Sequence, residues 1–267
     1  MKKKQLIGII NCTPDSFFEG GRFTDSELAI AHGLQLIQEG ADILDIGGES
    51  TRPGSTVAVS AEEELERILP VIQGIRKQHP IPLSVDTFKP EVARAAVDAG
   101  ASWINDITGF VLPEMRQLAA ESGAMCCITH MYSPPHTLPE RIDYPRGIVE
   151  EISLYFQRRI ALLLETGVDP ERIVLDPGIG GGSFGKSPEE SLLLIKSITK
   201  FTTLGYPLLI GLSRKSFLQK ILKKPASEVL STTLALNTMA LVGGTTYIRV
   251  HDVAPHRDIL TVLEKIA

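Results

Sequence analysis

The chain of 267 residues has little cysteine, a single tryptophan and no strong bias of charge. Two of its three cysteines, Cys126 and Cys127, are adjacent and would point to opposite faces of a strand, so we predict no disulfide framework. A net charge of −5 gives no basic surface for nucleic acid. No apolar run approaches the ~18 residues that a membrane-spanning helix needs.

What the chain does contain is typical of a folded globular protein. Hydrophobic residues make up 43% and charged residues 22% of the sequence, which excludes disordered and fibrous classes. No linker, repeat or low-complexity segment divides it. We therefore expect a single domain over residues 1–267, in a cytoplasmic protein that binds neither nucleic acid nor membrane.

Short apolar runs alternate with longer amphipathic segments along the whole chain. The candidate strands are Leu6–Ile10, Ile43–Ile46, Leu83–Val85, Trp103–Asn105, Met125–Thr129, Ile173–Leu175, Leu208–Ile210 and Tyr247–Val250. Ser60 and Ser187 each precede a glutamate by three residues, which is the spacing of a helix capping box. Four glycines are predicted to end helices just before a strand: Gly40, Gly100, Gly123 and Gly167.

This alternation predicts a parallel sheet with right-handed crossovers. Eight strand–helix units in 267 residues fit a closed barrel, which typically takes ~250 residues. The pattern does not show closure, so an open doubly wound sheet remains the alternative. The predicted fold class is α/β, a single (β/α)8 TIM barrel.

Polar residues follow every predicted strand, where a parallel barrel has its active-site mouth. In chain order they are Asn11; Gly48 to Arg52; Asp86 and Thr87; Asn105 and Asp106; Thr129 and His130; Asp176; Ser213 to Lys215; and Arg249 to Asp252. One such residue is commonly a cap or a loop hydrogen bond. Eight groups at the same end of the strands favour an enzyme.

The residue types at these strand ends indicate a substrate class. Three strands are predicted to present hydrogen-bond acceptors: Asp86, Asn105 and Asp176. Such a set suits a flat heterocycle with N–H donors, because carboxylates accept paired hydrogen bonds from guanidine-like edges. Lys215 and Arg249, with Arg52 in a glycine-rich loop, supply positive charge for a diphosphate or a carboxylate. Neither a Ser-His-Asp order nor a pair of glutamates indicates nucleophilic catalysis or glycoside hydrolysis.

Seven short motifs stand at the same strand ends. They are Asn11-Cys12-Thr13-Pro14-Asp15-Ser16-Phe17 with Gly20-Gly21; Gly48-Glu49-Ser50-Thr51-Arg52-Pro53-Gly54; Val85-Asp86-Thr87; Ile104-Asn105-Asp106; Asp176-Pro177-Gly178-Ile179-Gly180; Ser213-Arg214-Lys215-Ser216; and Arg249-Val250-His251-Asp252. In this order the chain resembles the dihydropteroate synthase family from about residue 6 to its C-terminus.

The resemblance implies an activity. Members of this family join 6-hydroxymethyl-7,8-dihydropterin diphosphate to p-aminobenzoate, releasing diphosphate and forming 7,8-dihydropteroate for folate biosynthesis. They are homodimers, they use Mg²⁺, and they are the targets of sulfonamides, which mimic the aminobenzoate. The implied partners of this chain are therefore two small-molecule substrates and a second copy of itself.

The resemblance also implies roles for individual residues. The pterin would be bound by Asp86, Asn105, Asp176 and Lys215. The diphosphate would be held by Arg249 and His251, with Asn11 as a ligand of Mg²⁺. The aminobenzoate site would be shaped by Thr51, Arg52, Pro53, Phe184 and Ser213. The residues expected to act in catalysis are Asp86, Asp176, Lys215 and Arg249, which would stabilise the charge that develops as diphosphate leaves.

One segment spells a different motif. Gly180 to Ser187 fits G-x-x-x-x-G-K-S, the pattern of a nucleotide phosphate-binding loop. Asp176 and Pro177 stand between the strand and these glycines, and Ser187 is predicted to cap the helix that begins at Pro188. The next strand also lacks a terminal aspartate for a metal ion. We interpret the segment as part of the family loop, lengthened by Gly181-Gly182-Ser183.

Two other functions remain open from the sequence. A pterin-binding methyltransferase domain shares the barrel and the acidic pterin contacts, but it needs neither the Ser-Thr-Arg-Pro-Gly loop nor the Ser-Arg-Lys-Ser segment. A non-catalytic pterin-binding paralogue would have lost its chemistry through the inserted Gly-Gly-Ser. Release of diphosphate from the two substrates with Mg²⁺ distinguishes all three.

Overall fold

The computed structural model describes residues 3–13, 22–49, 59–132, 137 and 142–266. The strands in these ranges are β1 Gln5–Asn11, β2 Ile43–Gly47, β3 Leu83–Asp86, β4 Trp103–Asp106, β5 Met125–Thr129, β6 Ile173–Asp176, β7 Leu209–Ile210 and β8 Tyr247–Val250. The α-helices are α1 Arg22–Gln38, α2 Ala61–Gln78, α3 Pro90–Asp98, α4 Pro113–Ser122, α5 Ile148–Glu165, α6 Pro188–Lys196, α7 Ile198–Thr202, α8 Ser216–Leu222, α9 Leu230–Val242 and α10 Val253–Ile266. Short 3-10 turns lie at Pro170–Arg172, Gly182–Phe184 and Ala226–Glu228.

The strands form a parallel barrel. Each pairs in parallel with its neighbour in the order β6-β5-β4-β3-β2-β1-β8-β7. A parallel bridge between Leu175 and Leu208 joins the two ends of this order. The closed barrel is thereby confirmed and the open doubly wound sheet is wrong. All eight predicted strands are present, although β7 is shortened because Leu208 contributes a bridge and not a full ladder.

The predicted helix boundaries rest on local hydrogen bonds. Ser60 Oγ accepts a bond of 3.1 Å from the Glu63 N–H. At α6 the capping box is complete: Ser187 Oγ accepts from the Glu190 N–H at 3.1 Å, and Glu190 Oε2 accepts from the Ser187 N–H at 2.7 Å. The four predicted stop glycines all have positive φ, between 69° and 111°. These positions favour glycine because other residues are strained in that conformation.

Two layers of inward-facing side chains fill the barrel. The lower layer is apolar and consists of Ile7, Ile43, Trp103, Cys127, Val174, Leu209 and Tyr247. Because side chains alternate with a period of two, the next inward position on a strand lies nearer the mouth. There the side chains become polar: Asp45, Asn105, Thr129, Asp176 and Arg249. The larger apolar core lies between the strands and the surrounding helices.

The cysteines and the helices of the described residues bear on the predictions about disulfides and membrane spans. All three cysteines are free and buried, which confirms the absence of a disulfide framework. Within the described ranges, no helix is both long and apolar enough to span a bilayer.

A buried ion cluster ties the ends of β2 and β3 together. Lys89 precedes α3, and its Nζ donates to Glu49 Oε2 and to Glu64 Oε2 at 2.5 Å each. The three side chains are 15%, 6% and 1% exposed, respectively. One cation thus joins the residue that follows β2 to helix α2 and to the start of α3. This cluster fixes the barrel rim on the side of Asp86.

We predict that Lys89→Met costs about 3–5 kcal/mol of the free energy of unfolding, because it leaves two buried carboxylates without their cation. Urea denaturation followed by circular dichroism measures this. The control is Arg94→Met, which breaks the pair with Glu121, whose side chains are 47% and 46% exposed. That change should leave the free energy of unfolding nearly unchanged, because both side chains are exposed to solvent. Equal losses in the two variants would contradict the role of the cluster.

Candidate active site

The structure brings most of the predicted site residues to one end of the barrel. Those within or at the ends of strands are Asn11 in β1, Asp86 in β3, Asn105 in β4, Asp176 in β6 and Arg249 in β8. Those in the loops that follow strands are Phe184, Ser213, Lys215 and His251. The predicted aminobenzoate residues Thr51, Arg52 and Pro53 lie outside the described residues.

Arg249 occupies the centre of the mouth. Its Nε donates to Asp45 Oδ2 at 2.5 Å, and its Nη2 donates to Asp86 Oδ2 at 2.7 Å. The arginine side chain is 22% exposed, that of Asp45 is 1% exposed and that of Asp86 is 18% exposed. A guanidinium therefore bridges two carboxylates that come from different strands, and Asp86 faces solvent more than Asp45 does.

Asp45 is a site residue that the sequence reasoning missed. Besides Arg249 it receives a bond of 3.3 Å from Asn105 Nδ2, and Thr129 Oγ1 donates to Asn105 Oδ1 at 3.4 Å. The other oxygen of Asp45 is buried without a hydrogen-bond partner. A continuous polar chain thus runs from Thr129 to Asp86 across the mouth. The sequence signal that could have identified Asp45 is an acidic residue within an otherwise apolar strand, two positions after Ile43.

Burial has the largest single effect on the pKa values of Asp86 and Arg249. Burial raises the pKa of Asp86 to about 7; Arg249 and Lys215 oppose the shift, and Asp45 adds to it. Burial also disfavours the charge of Arg249, but Asp45 and Asp86 more than offset this and raise the pKa of Arg249 above its usual value. Arg249 is therefore always charged, whereas Asp86 changes its protonation near neutral pH.

A second group surrounds Asp176 at the end of β6. Asp176 Oδ1 accepts from the Gly178 N–H at 2.8 Å. Burial raises the pKa of Asp176, and the Gly178 bond and Lys215 oppose the shift. Burial lowers the pKa of Lys215 to about 8, against the attraction of Asp176. The Lys215 ammonium also lies 4.3 Å from the centre of the Phe184 ring, a cation–π distance.

Gly180 makes the approach of Lys215 possible. Its φ is +127°, and a Cβ at this position would lie 3.0 Å from Lys215 Cδ. A larger residue would push the lysine away from Asp176. The glycine that matched a phosphate-binding loop in the sequence thus makes room for a lysine side chain.

The loops after β7 and β8 are held to each other. Ser213 Oγ lies 3.1 Å from His251 Nδ1 and accepts from the His251 N–H at 3.2 Å. Next to this contact, Arg214 donates to both oxygens of Asp252 at 2.9 and 2.6 Å. These bonds place Ser213, Lys215 and His251 on one side of the mouth. The site can therefore offer carboxylates to N–H donors and cations to an anion at one end of the barrel.

Comparison with known proteins matches the chain to one family. The family model of pterin binding enzymes matches residues 7–251. The dihydropteroate synthase of Synechocystis is 42% identical over 267 residues, which are 99% of this chain and 91% of that protein. The chain belongs to the dihydropteroate synthase family.

Solved structures of the family agree in fold. The dihydropteroate synthase of Clostridium difficile, determined in the presence of pteroic acid, superimposes with a TM-score of 0.92 at 36% identity and covers 99% of this chain and 97% of its own. That of Xanthomonas albilineans with 4-aminobenzoic acid gives 0.90 at 41% identity, with coverage of 99% and 93%. The family resemblance of the seven sequence motifs is thereby confirmed.

The segment that resembles a phosphate-binding loop has another use in this enzyme. Lys186 is buried, and its Nζ donates to the carbonyl oxygens of His130 and Phe184 at 3.3 Å each. Ser187 caps α6, as predicted from its spacing. Sequence reasoning treated Lys186 only as part of a misleading motif, and its contacts with the β5 end were missed.

We predict that Arg249→Met destabilises the protein by about 3 kcal/mol or more at about pH 8, where it leaves Asp45 and an ionised Asp86 without their cation. The loss should shrink by at least ~1 kcal/mol at about pH 6, because a protonated Asp86 needs no cation. Urea denaturation at the two pH values tests this.

The matched control is Arg116→Met. Its guanidinium donates to the carbonyl oxygens of Phe110 and Val111, so its cost should not change between these pH values. If the two variants had the same pH dependence, the coupling of Asp86 to Arg249 would be wrong.

Proposed function

We infer that the enzyme condenses 6-hydroxymethyl-7,8-dihydropterin diphosphate with p-aminobenzoate, giving 7,8-dihydropteroate and diphosphate for folate biosynthesis. The observation that carries this inference is the polar layer at the mouth, where Asp86, Asn105 and Asp176 lie among Lys215 and Arg249. Relatives of similar length carry the same activity in their names, and two of their structures were determined in the presence of pteroic acid and with 4-aminobenzoic acid.

The pterin is proposed to bind by exchange of partners at Asp86. In the free enzyme this carboxylate accepts from Arg249 Nη2. The N–H donors of the pterin edge can donate a pair of hydrogen bonds to Asp86 in place of the one from Arg249. Asp45 meanwhile keeps Arg249 in place through Nε. Asn105 and Asp176 supply further polar contacts to the ring. The released end of Arg249 then points to the diphosphate, with His251 beside it.

The proposed reaction breaks the bond between the pterin methylene carbon and the diphosphate oxygen. The electron pair leaves with the diphosphate, where Arg249 and His251 balance its charge. Asp86 and Asp176 stabilise the positive charge that spreads from the methylene carbon into the ring. The amine nitrogen of p-aminobenzoate forms the new bond and releases a proton to solvent. An arylamine cation is a strong acid, so no side chain is needed as a general base.

We propose that p-aminobenzoate lies between Phe184 and Ser213, with Lys215 at the border of the two substrates. The Phe184 ring faces the Lys215 ammonium, which leaves an aromatic surface beside a cation. Such a combination suits an aromatic carboxylate. Thr51, Arg52 and Pro53 are proposed to complete this site, as the family resemblance implies.

We also propose that Mg²⁺ binds with the diphosphate at Asn11. The residue is half-buried at the end of β1, next to the rim, and its amide oxygen is a suitable ligand for a hard cation. In the described ranges no three acidic, histidine or cysteine side chains form a metal-binding group. One protein oxygen fits an ion whose other ligands come from phosphate and water. Bound there, Mg²⁺ would neutralise charge on the leaving diphosphate.

A homodimer is proposed from an apolar surface on neighbouring helices. Helix α6 contacts both α8 and α9, and large apolar residues are exposed on all three: Leu193 at 46%, Ile221 at 47%, Met239 at 59% and Val242 at 74%. Contiguous exposed apolar residues are typical of interaction surfaces. A two-fold symmetric pairing of this face with its copy would remove it from water.

For the dimer, we predict that Met239→Glu combined with Val242→Glu gives a folded monomer, because two charges on each copy would face the apolar surface of the other. Light scattering after size-exclusion chromatography measures the mass. Leu112→Glu is the control, since Leu112 is 38% exposed before α4 and lies away from this face. A dimer that persists in the double variant would place the interface elsewhere.

For the reaction, we predict that the enzyme with both substrates and Mg²⁺ releases one diphosphate for each dihydropteroate formed. Asp86→Ala and Asp176→Ala should each weaken pterin binding by about tenfold or more, because unpaired ring donors cost about 1–3 kcal/mol. Coupled diphosphate detection and calorimetry with a pterin measure the two effects.

The alternatives give different results in this assay. A methyltransferase domain or a non-catalytic paralogue would bind the pterin and release no diphosphate. ATP should not be hydrolysed, so an ATPase activity that Lys186→Ala abolishes would restore the nucleotide hypothesis.

A further inference from the structure

Lys186 is a buried lysine whose function the reaction does not explain. Its side chain is 3% exposed. Among the residues that the structure describes, no carboxylate lies within ion-pair distance of it, and its Nζ is bound by the carbonyl oxygens of His130 and Phe184. Lysine is almost never fully buried without a paired carboxylate, because its ammonium loses hydration. Because burial of this ammonium costs free energy, we expect Lys186 to serve a function that offsets the cost.

Four titratable side chains from four parts of the barrel face Lys186. They are Asp176 in β6, Lys215 after β7, Glu190 in α6 and His130 after β5. Burial lowers the pKa of Lys186 to about 7, while Asp176 and Glu190 favour its charge and Lys215 opposes it. Burial and Lys186 together lower the pKa of His130, so this histidine is neutral. His130 links Lys186 to Asp176, the carboxylate proposed for the pterin site: the His130 N–H donates to the Asp176 backbone oxygen at 2.8 Å, and the His130 oxygen accepts from Lys186 Nζ at 3.3 Å.

The effect on Asp176 is reciprocal. Three cations lower the pKa of this buried carboxyl, and they are Lys215, Arg249 and Lys186. In the proposed reaction Arg249 turns toward the diphosphate and Lys215 borders both substrates. Lys186 alone among the three stays behind the site, bound to backbone. It is therefore the one cation of the three that is not proposed to contact a substrate.

The same side chain fastens the loop between β6 and α6. The Lys186 N–H donates to the Gly180 oxygen at 3.1 Å, which closes the turn that contains Phe184. Its Nζ then joins the Phe184 oxygen to the His130 oxygen at the end of β5. The ring of Phe184 lies 5.7 Å from Lys186 and 4.3 Å from Lys215. The aromatic wall proposed for the aminobenzoate is thus held by Lys186.

We propose that Lys186 is a positioning residue of the active site: its buried side chain, when protonated, supplies a counter-charge to Asp176, and its hydrogen bonds hold Phe184 against the end of β5. The proposal rests on the proposed function for the ligands that meet Asp176 and Phe184. Its electrostatic part concerns two groups of the free enzyme and is tested without substrate.

Three variants separate charge from hydrogen bonding. Lys186→Arg keeps the charge and the donors, Lys186→Gln keeps donors without charge, and Lys186→Met keeps neither. The control is Lys196→Gln, which removes an exposed lysine from the last turn of α6, the helix that follows Lys186. Circular dichroism and thermal unfolding identify the variants that fold.

The first readout is the titration of the Asp176 carboxyl carbon by NMR in aspartate-labelled protein, with Asp176→Asn to assign its signal. Its midpoint should rise by about one pH unit in Lys186→Gln and Lys186→Met, because a nearby opposite charge typically shifts a carboxyl by 1–3 units. It should stay in place in Lys186→Arg and Lys196→Gln. An unchanged midpoint in Lys186→Gln overturns the electrostatic role.

The second readout is the KM for p-aminobenzoate at saturating pterin substrate. Lys186→Met should raise it about tenfold, which corresponds to about 1.4 kcal/mol, with a smaller rise in Lys186→Gln. An unchanged KM in Lys186→Met overturns the role in holding Phe184.

Wild-type enzyme gives a test that needs no buried substitution. Because the two groups interact, the Asp176 signal should show a second inflection at the pH where Lys186 loses its proton, which burial lowers from the usual lysine range. The absence of a second inflection over the whole pH range in which the protein stays folded overturns the electrostatic role, even if the neutral variants fail to fold. An enzyme that shows the inflection but makes no dihydropteroate contradicts the proposed function and leaves this inference standing.

Discussion

The bridge from Arg249 to Asp45 and Asp86 is the interaction on which the mouth of this barrel depends. Two carboxylates from β2 and β3 meet one guanidinium from β8, and Asp45 is 1% exposed. Removal of the guanidinium or of a carboxylate would leave a buried charge without a partner. The free energy lost in this way is larger than the net stabilisation that the intact pair contributes. Around Asp176 the same balance is kept by Lys215 and Lys186. A substrate that displaces one of these side chains must therefore supply a group of the same charge, or an equivalent hydrogen-bond donor, to the partner left behind.

The barrel makes this bridge possible through register and alternation. In the ladder between β2 and β3, Gly47 lies opposite Asp86, and a Cβ on this glycine would lie 3.3 Å from Asp86 Cβ. The missing side chain leaves room for the carboxylate beside Arg249. Below it, the apolar layer from Ile7 to Tyr247 keeps water from the barrel interior. Burial then becomes the largest influence on the pKa of Asp86, Asp176 and Lys215.

Most of the fold could be predicted because its signals are local. Period-two apolar runs, Ser187 with Glu190, and the positive-φ glycines each depend on a few neighbouring residues. The pairing of Arg249 with Asp86 could not be predicted, since it joins residues 163 positions apart and requires the barrel to close. Asp45 was overlooked because it lies inside a strand and not after it. Lys186 was read as part of a motif, although its partners are backbone oxygens that a sequence does not display.

The proposed partner exchange at Asp86 would give the site an order of events. A pterin that binds Asp86 displaces Arg249 Nη2 and leaves the guanidinium held by Asp45 alone. The displaced end is then a buried donor without an acceptor, which is costly unless an anion meets it. A diphosphate on the same molecule supplies that anion. Substrate with its diphosphate therefore leaves Arg249 with two hydrogen-bond partners, whereas a bare pterin leaves it with Asp45 alone. As the diphosphate departs, Arg249 can return to Asp86, which favours release of the product ring.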